Sequence, residues 1–369
     1  MALDAEPEHA VQHLQPGDLE GGLSVATAPW ATPSAGAPNP AASPASGPSA
    51  PAAAPALGPG SAVVAIGGNA LERGADDDAW RLARATAAQL ADLVAAGAQL
   101  IITHGNGPQV GRALRRAALA EAETGPLPIA TAVAQTQGEI GFQLARSLAD
   151  ALRMRGIDRP VGALVTQVVV DAEDPAFAAP DKPIGEWMNA ERSRRMARTR
   201  GWRFVHDATL GHRRVVASPT PLAVLELPLI RAMVADGAIV VAGGGGGIPV
   251  AAVEGRYEGV PAVVDKDLTS ALLASGLGVE RLFIVTGVPH VMLDYGTPHE
   301  RAVHRLTAGE AAEYLAAGQF PAGSMGPKIT AAVAFVTGAG GAPGAIATIT
   351  DIDHIAAAWR GEAGTQVVA

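Results

Sequence analysis

Three lysines stand out in a chain that otherwise supplies its cations as arginine. The sequence holds 24 arginines and only Lys182, Lys266 and Lys328. A lone lysine is ordinarily a solvated surface charge. These three sit in distinctive settings: Lys182-Pro183-Ile184-Gly185, Val264-Asp265-Lys266-Asp267, and Gly323-Ser324-Met325-Gly326-Pro327-Lys328. An arginine-biased chain that keeps a lysine there points to a pocket that fits a compact ammonium and not a planar guanidinium. Such cations serve to hold anions.

Glycine-rich turns make a second set. Gly67-Gly68-Asn69, Gly105-Asn106-Gly107, residues 243–247 and Thr286-Gly287 each follow an apolar run. Glycine lets backbone N–H groups approach a phosphate, and a following helix adds its positive end. One Gly-Gly pair is usually an ordinary tight turn. Five glycines in a row, Gly243, Gly244, Gly245, Gly246 and Gly247, suggest a ligand lying against bare backbone.

Other phosphate and acyl-transfer signatures are missing. No G-x-x-x-x-G-K-[ST] occurs, and no protein-kinase motif set or Gly-x-Ser-x-Gly elbow. Gly338-Ala339-Gly340-Gly341-Ala342-Pro343 begins like a dinucleotide fingerprint but has proline where the third glycine belongs. His104 lies in a Gly-rich turn, where it could touch a substrate or position the loop. The other histidines show no metal-ligand spacing.

The elements that must position these residues alternate. Residues 62–66, 99–103, 162–170, 215–217, 238–242, 281–285 and 345–350 read as strands. Residues 80–96, 111–123, 131–155, 225–235, 267–275 and 329–336 read as helices at 3.6-residue spacing. This order implies an α/β fold with a mainly parallel sheet sandwiched by helices, and ligands at the carboxyl ends of its strands. Residues 171–214 are more polar and carry Pro175, Pro180 and Pro183, which suggests a protruding insert or lid.

Composition narrows the possibilities. Residues 1–60 hold 11 of the 28 prolines and no lysine or arginine. Such a segment reads as a disordered tail, with the folded domain spanning 61–369. The tail lacks the basic start of a secretory signal and the arginines of a transit peptide. The chain has no cysteine, which excludes disulfides and thiolate metal sites. No apolar run is long enough for a membrane span. The net charge of −9 offers no electrostatic attraction to nucleic acid.

In combination the motifs resemble the carbamate kinases of the amino-acid kinase superfamily. The resemblance runs from Val63 to the C-terminus. It includes Ala65-Ile66-Gly67-Gly68-Asn69-Ala70, His104-Gly105-Asn106-Gly107-Pro108-Gln109-Val110-Gly111 and Gln137-Gly138-Glu139-Ile140-Gly141. It continues through Leu164-Val165-Thr166-Gln167-Val168, Arg213-Arg214-Val215-Val216-Ala217-Ser218-Pro219, and the three lysine motifs.

The resemblance implies a cytoplasmic homodimer. The implied reaction is ATP plus carbamate giving ADP plus carbamoyl phosphate, reversibly and with Mg²⁺. It implies that Gly67, Gly68, Asn69 and the Gly105-Asn106-Gly107 turn surround the transferring phosphoryl and carbamate. Lys182 reaches over the site from the small subdomain. Lys266 and Lys328 contact phosphates while Asp267 orients the lysines. Thr286, Tyr295, Met325 and Pro327 would serve the nucleotide. The competing readings are another kinase of the superfamily, for N-acetylglutamate or a nucleoside monophosphate, and a non-catalytic sensor. The Lys182-Pro183-Ile184-Gly185 insert argues against the first, and retention of all three lysines against the second.

Overall fold

The computed structural model describes Leu57 and residues 60–68, 79–321, 323–338 and 342–369. Asn69 and all of the expected tail except Leu57 and Gly60 lie outside these residues. Leu57 itself belongs to the folded unit. It is buried in the main core, and its N–H donates to the Leu277 carbonyl at 3.2 Å. Ordered packing therefore starts before Ser61, where composition set the boundary.

A central eight-stranded sheet organises the molecule. Its strands lie in the order Arg305–Thr307, Thr365–Val368, Ile346–Asp351, Arg281–Thr286, Ser61–Ile66, Gln99–His104, Ile239–Val241, Val161–Ala163. All neighbours pair in parallel except Ile346–Asp351 with Thr365–Val368. Continuous apolar sequence is what a sheet covered on both faces requires. Along Ser61–Ile66 every residue is buried. Val63 joins one core cluster, whereas Ala62, Val64 and Ile66 join the other. Helices Ala79–Ala95 and Ile129–Met154 cover the second face, while Lys266–Leu277 and Met325–Thr337 cover the first.

The apolar run 162–170 forms two strands, not one. Val161–Ala163 closes the central sheet, and Gln167–Val170 belongs to a separate four-stranded sheet with Ile248–Val253, Arg256–Gly259 and Pro221–Val224. The break has a visible cause. The Gln137 side chain accepts from the Thr166 N–H at 2.7 Å and donates to the Thr166 carbonyl at 3.1 Å. The Thr166 N–H is thus taken from any ladder, while its carbonyl also accepts from the Ile248 N–H of the second sheet at 2.8 Å.

The polar insert is a small lid. Strands Lys182–Met188, Gly211–Val216 and Arg203–Asp207 form an antiparallel sheet beside helix Ala190–Arg200. Asn189 caps that helix by accepting from the Arg192 N–H, and Gly201 ends it in the left-handed region at φ 65°. The lid closes at Val216 and not at Arg214, because residues 215–216 pair with Lys182 and Pro183 and not with the central sheet.

Among the described residues, no helix is long and apolar enough to cross a membrane.

Candidate active site

The carboxyl ends of the central strands open into a cavity of ≈440 Å³. Gly67 and Gly68 follow Ser61–Ile66, Gly105 follows Gln99–His104, and Thr286 ends Arg281–Thr286; all four line it. Three helices also begin there. Gly107–Thr124, Lys266–Leu277 and Met325–Thr337 each contribute first-turn residues to the wall: Gly107, Lys266 with Asp267, and Pro327 with Lys328. Unpaired N–H groups and the positive ends of three helix dipoles therefore meet in one space. That is an anion site by construction.

Lys182, Lys266 and Lys328 all line this cavity, brought together from the lid and from two different helices. Asp267 lies between two of them. Its Oδ1 accepts from Lys266 Nζ at 2.5 Å and its Oδ2 from Lys328 Nζ at 2.9 Å. The carboxylate side chain is only 5% exposed, and the two lysines 13% and 14%. Burial pushes the Asp267 carboxyl up, but the two ammonium groups outweigh it and hold it at about 2. The same burial pulls the Lys266 ammonium down from its ordinary value, against the support of Asp267. Two poorly hydrated cations are thus fixed by one anion and keep donors to spare for a ligand.

Asp265 is a site residue that sequence reading passed over. It is the N-cap of Lys266–Leu277, accepting from the Asp267 N–H at 2.9 Å through Oδ1. Its Oδ2 accepts from Lys182 Nζ at 2.8 Å. One carboxylate therefore sets the start of the lysine-bearing helix and holds the lid lysine over the cavity. An acid immediately before a helix is the capping signal that could have identified it.

The glycine run has a different immediate cause from the one expected. Gly245 lines the cavity, whereas Gly243, Gly244 and Gly246 are buried outside its lining. A Cβ at Gly244 would meet the His104 ring, at Gly245 the Asn106 amide, at Gly246 the Val264 carbonyl, and at Gly247 the Val168 side chain. The run lets a loop pass through the crowded interior. Side chains then hold it. Thr166 Oγ1 accepts from the Gly243 N–H at 3.0 Å, Gln137 donates to the Gly244 carbonyl at 2.9 Å, and Thr269 donates to the Gly246 carbonyl at 2.8 Å.

Asn106 faces the cavity and donates to Thr136 Oγ1 at 2.9 Å. Of the four residues assigned to nucleotide, Thr286 and Pro327 line the cavity. Met325 packs against the core, and Tyr295 is 69% exposed; neither contributes to the lining.

His104 is 1% exposed and serves to hold its loop. Its Nδ1 bonds the Gly105 carbonyl at 2.9 Å, which only accepts, so the proton sits on Nδ1. Burial is the main cause lowering this imidazole from 6.5 to about 4. Between those values the unfolded chain takes up a proton that the folded chain refuses. Stability therefore falls as pH drops through this window, by up to about 3 kcal/mol. Urea unfolding of His104→Gln between pH 7 and pH 4 should show an acid limb flatter by about that amount. Equal limbs for the two proteins would rule out the assignment.

Among the described residues, no cluster of three or more His, Asp or Glu is arranged to hold a metal. Both cavity carboxylates already pair with lysines. The described residues thus form no cage for Mg²⁺, and such an ion would arrive on nucleotide phosphates with its waters.

Glycine turns at strand ends, three helix N-termini and buried lysines define a phosphoryl-transfer site, and the chain belongs to the amino acid kinase family, which it matches over residues 61–348. It is a phosphotransferase. Within that family it groups with the carbamate kinases. It is 40% identical over 313 residues to the carbamate kinase of Thermococcus kodakarensis, covering 83% of this chain and 98% of that protein. It is 42% identical over 308 residues to carbamate kinase 2 of Enterococcus faecalis, covering 83% and 97%. The solved carbamate kinase of Giardia lamblia bound to AMP-PNP superposes with a TM-score of 0.78 at 31% identity, covering 84% and 98%.

Proposed function

We propose that this chain catalyses reversible phosphoryl transfer between ATP and carbamate, giving ADP and carbamoyl phosphate. The observation that carries the reading is the convergence of Lys182, Lys266 and Lys328 on one cavity, with Asp267 gripping two of them. Carbamate is already an anionic nucleophile, so no general base is needed. Its oxygen forms the new bond to the γ-phosphorus as the bond to the bridging oxygen of ADP breaks, and that electron pair leaves with ADP. The chemical obstacle is bringing two anions together and meeting the charge that spreads over the transferring group.

Lys266 and Lys328 answer that need as preorganised cations, because Asp267 fixes both before substrate arrives. Gly67, Gly68, Gly105 and Gly107 leave backbone open to the phosphoryl group. Lys182 approaches from the lid and completes the acceptor end. Mg²⁺ on the nucleotide would add a further counter-charge; no step above depends on it.

We also propose a homodimer working in the cytoplasm. Phe142 is 60% exposed and stacks edge-on with Trp80 at 5.3 Å, on helices Ile129–Met154 and Ala79–Ala95. A partly exposed aromatic pair of this kind is suited to cover by a second copy. A nucleotide substrate and a cysteine-free chain suit a reducing, ATP-rich compartment.

An acceptor panel tests the activity. With ATP and Mg²⁺, ADP release should require ammonia plus bicarbonate, which supply carbamate. N-acetylglutamate or UMP should not replace them. Preference for either of the latter would overturn the reading.

A further inference from the structure

Where the lid meets the body, helix Gly107–Thr124 and strand Lys182–Met188 border a second cavity of ≈190 Å³. No residue lines both this cavity and the one described above. Its wall carries Arg115, Arg192, Arg195, Arg200 and Arg214 against two glutamates, Glu121 and Glu186. The glutamates are already engaged. Glu186 lies 2.6 Å from Arg192 and 3.4 Å from Arg115, and Glu121 lies 2.5 Å from Arg200.

Arg195 and Arg214 are left without a carboxylate among the described residues. The Arg214 guanidinium lies over the Trp202 ring, 3.9 Å from its centroid. Burial, and then the like charge of Arg200, lower this guanidinium to about 10. A half-buried cation facing other cations is a poor arrangement on its own, and an anion between them relieves it. The rest of the wall is apolar, with Leu114, Met188 and Met196 beside Trp202.

We propose that this cavity binds a small organic anion: a carboxylate on a compact apolar body. Arg195 and Arg214 hold the carboxylate, and Trp202 with the two methionines packs the body. A guanidinium fork matches a carboxylate in two parallel hydrogen bonds. A bare inorganic anion would leave the apolar half of the wall unfilled, which favours an organic ligand. The ligand would bridge the strand that carries Lys182 and the helix whose first residue, Gly107, lines the reaction cavity. It would thereby tie the lid to the body.

Benzoate is a suitable probe. Titrated into the full-length protein, it should change tryptophan emission saturably, and Trp202→Phe should abolish the change. Arg214→Gln should weaken binding by about tenfold or more, the worth of a hydrogen bond between charged groups. Arg195→Gln should weaken it in the same direction; this side chain is exposed, so its loss does not threaten folding. Saturating ADP should not compete. Absence of a saturable signal, unchanged affinity in both arginine variants, or competition by ADP would each overturn the proposal. Sulfate binding as tightly as benzoate would overturn the organic part of it.

Discussion

Lys266→Arg and Lys328→Arg should each lower kcat by about 10²–10³-fold while melting temperature changes little. The kinetic loss is that of a preorganised donor aimed at developing charge. Arginine retains the positive charge but presents a planar fork, longer than the ammonium it replaces, in a pocket built around Asp267. The small stability effect follows from the pairing. Asp267 bonds one lysine through each oxygen, so either variant leaves it one intact ion pair. The guanidinium also keeps a cation beside Asp267, so the carboxylate is not left as an uncompensated buried charge. Lys182→Ala should behave differently, raising KM for carbamoyl phosphate more than for ADP, because this lysine reaches the cavity from the lid. Near-wild-type turnover in both arginine variants would remove Lys266 and Lys328 from the chemistry.

Gly245→Ala should cost about 3 kcal/mol and most of the activity. Gly245 has φ 65°, where an L side chain adds about 1–2 kcal/mol. A Cβ there also runs into the Asn106 amide, and overpacking a buried contact adds about 1–3 kcal/mol more. The displaced Asn106 lines the reaction cavity, so the damage reaches the chemistry. Gly97→Ala separates the two causes. Gly97 has φ 91° but nothing within 4 Å of its added Cβ, so it should show only the backbone part. Equal losses in thermal melts of the two variants would mean that the crowding at Asn106 contributes nothing.

The central strands were legible because burial on both faces demands unbroken apolar sequence, as in Ser61–Ile66 and Arg281–Thr286. The three lysines were legible for a compositional reason: against 24 arginines, each one is conspicuous. Three other features could not be read so directly. The split of 162–170 depends on Gln137, distant in sequence, which takes up the Thr166 N–H. Helix Met325–Thr337 begins four residues before its apolar periodicity. Pro327 stands in the first turn, where a backbone N–H is unpaired in any helix, so proline is tolerated there. Strands of three residues, such as Val291–Leu293 and Arg301–Val303, are too short to display a period.

The glycine run teaches the same lesson about sites. Of the five glycines Gly245 lines the cavity, and four of them are required by neighbours that crowd the loop, three side chains and the Val264 carbonyl. Contacts of this kind join residues far apart in sequence. Asp265 is similar. Its role as the meeting point of a helix start and the lid lysine needs the lid folded back over the helix, and spacing alone does not reveal that.

The most direct test of the account is ATP synthesis from carbamoyl phosphate. Purified protein is mixed with ADP, Mg²⁺ and carbamoyl phosphate, and ATP is followed by luciferase emission, with Lys328→Met as the comparison. The wild-type chain should form ATP rapidly and only with carbamoyl phosphate present, and the variant should lose about 10²-fold or more of that rate. Absence of ATP formation by folded wild-type protein, or equal rates in the two proteins, would contradict the proposed activity.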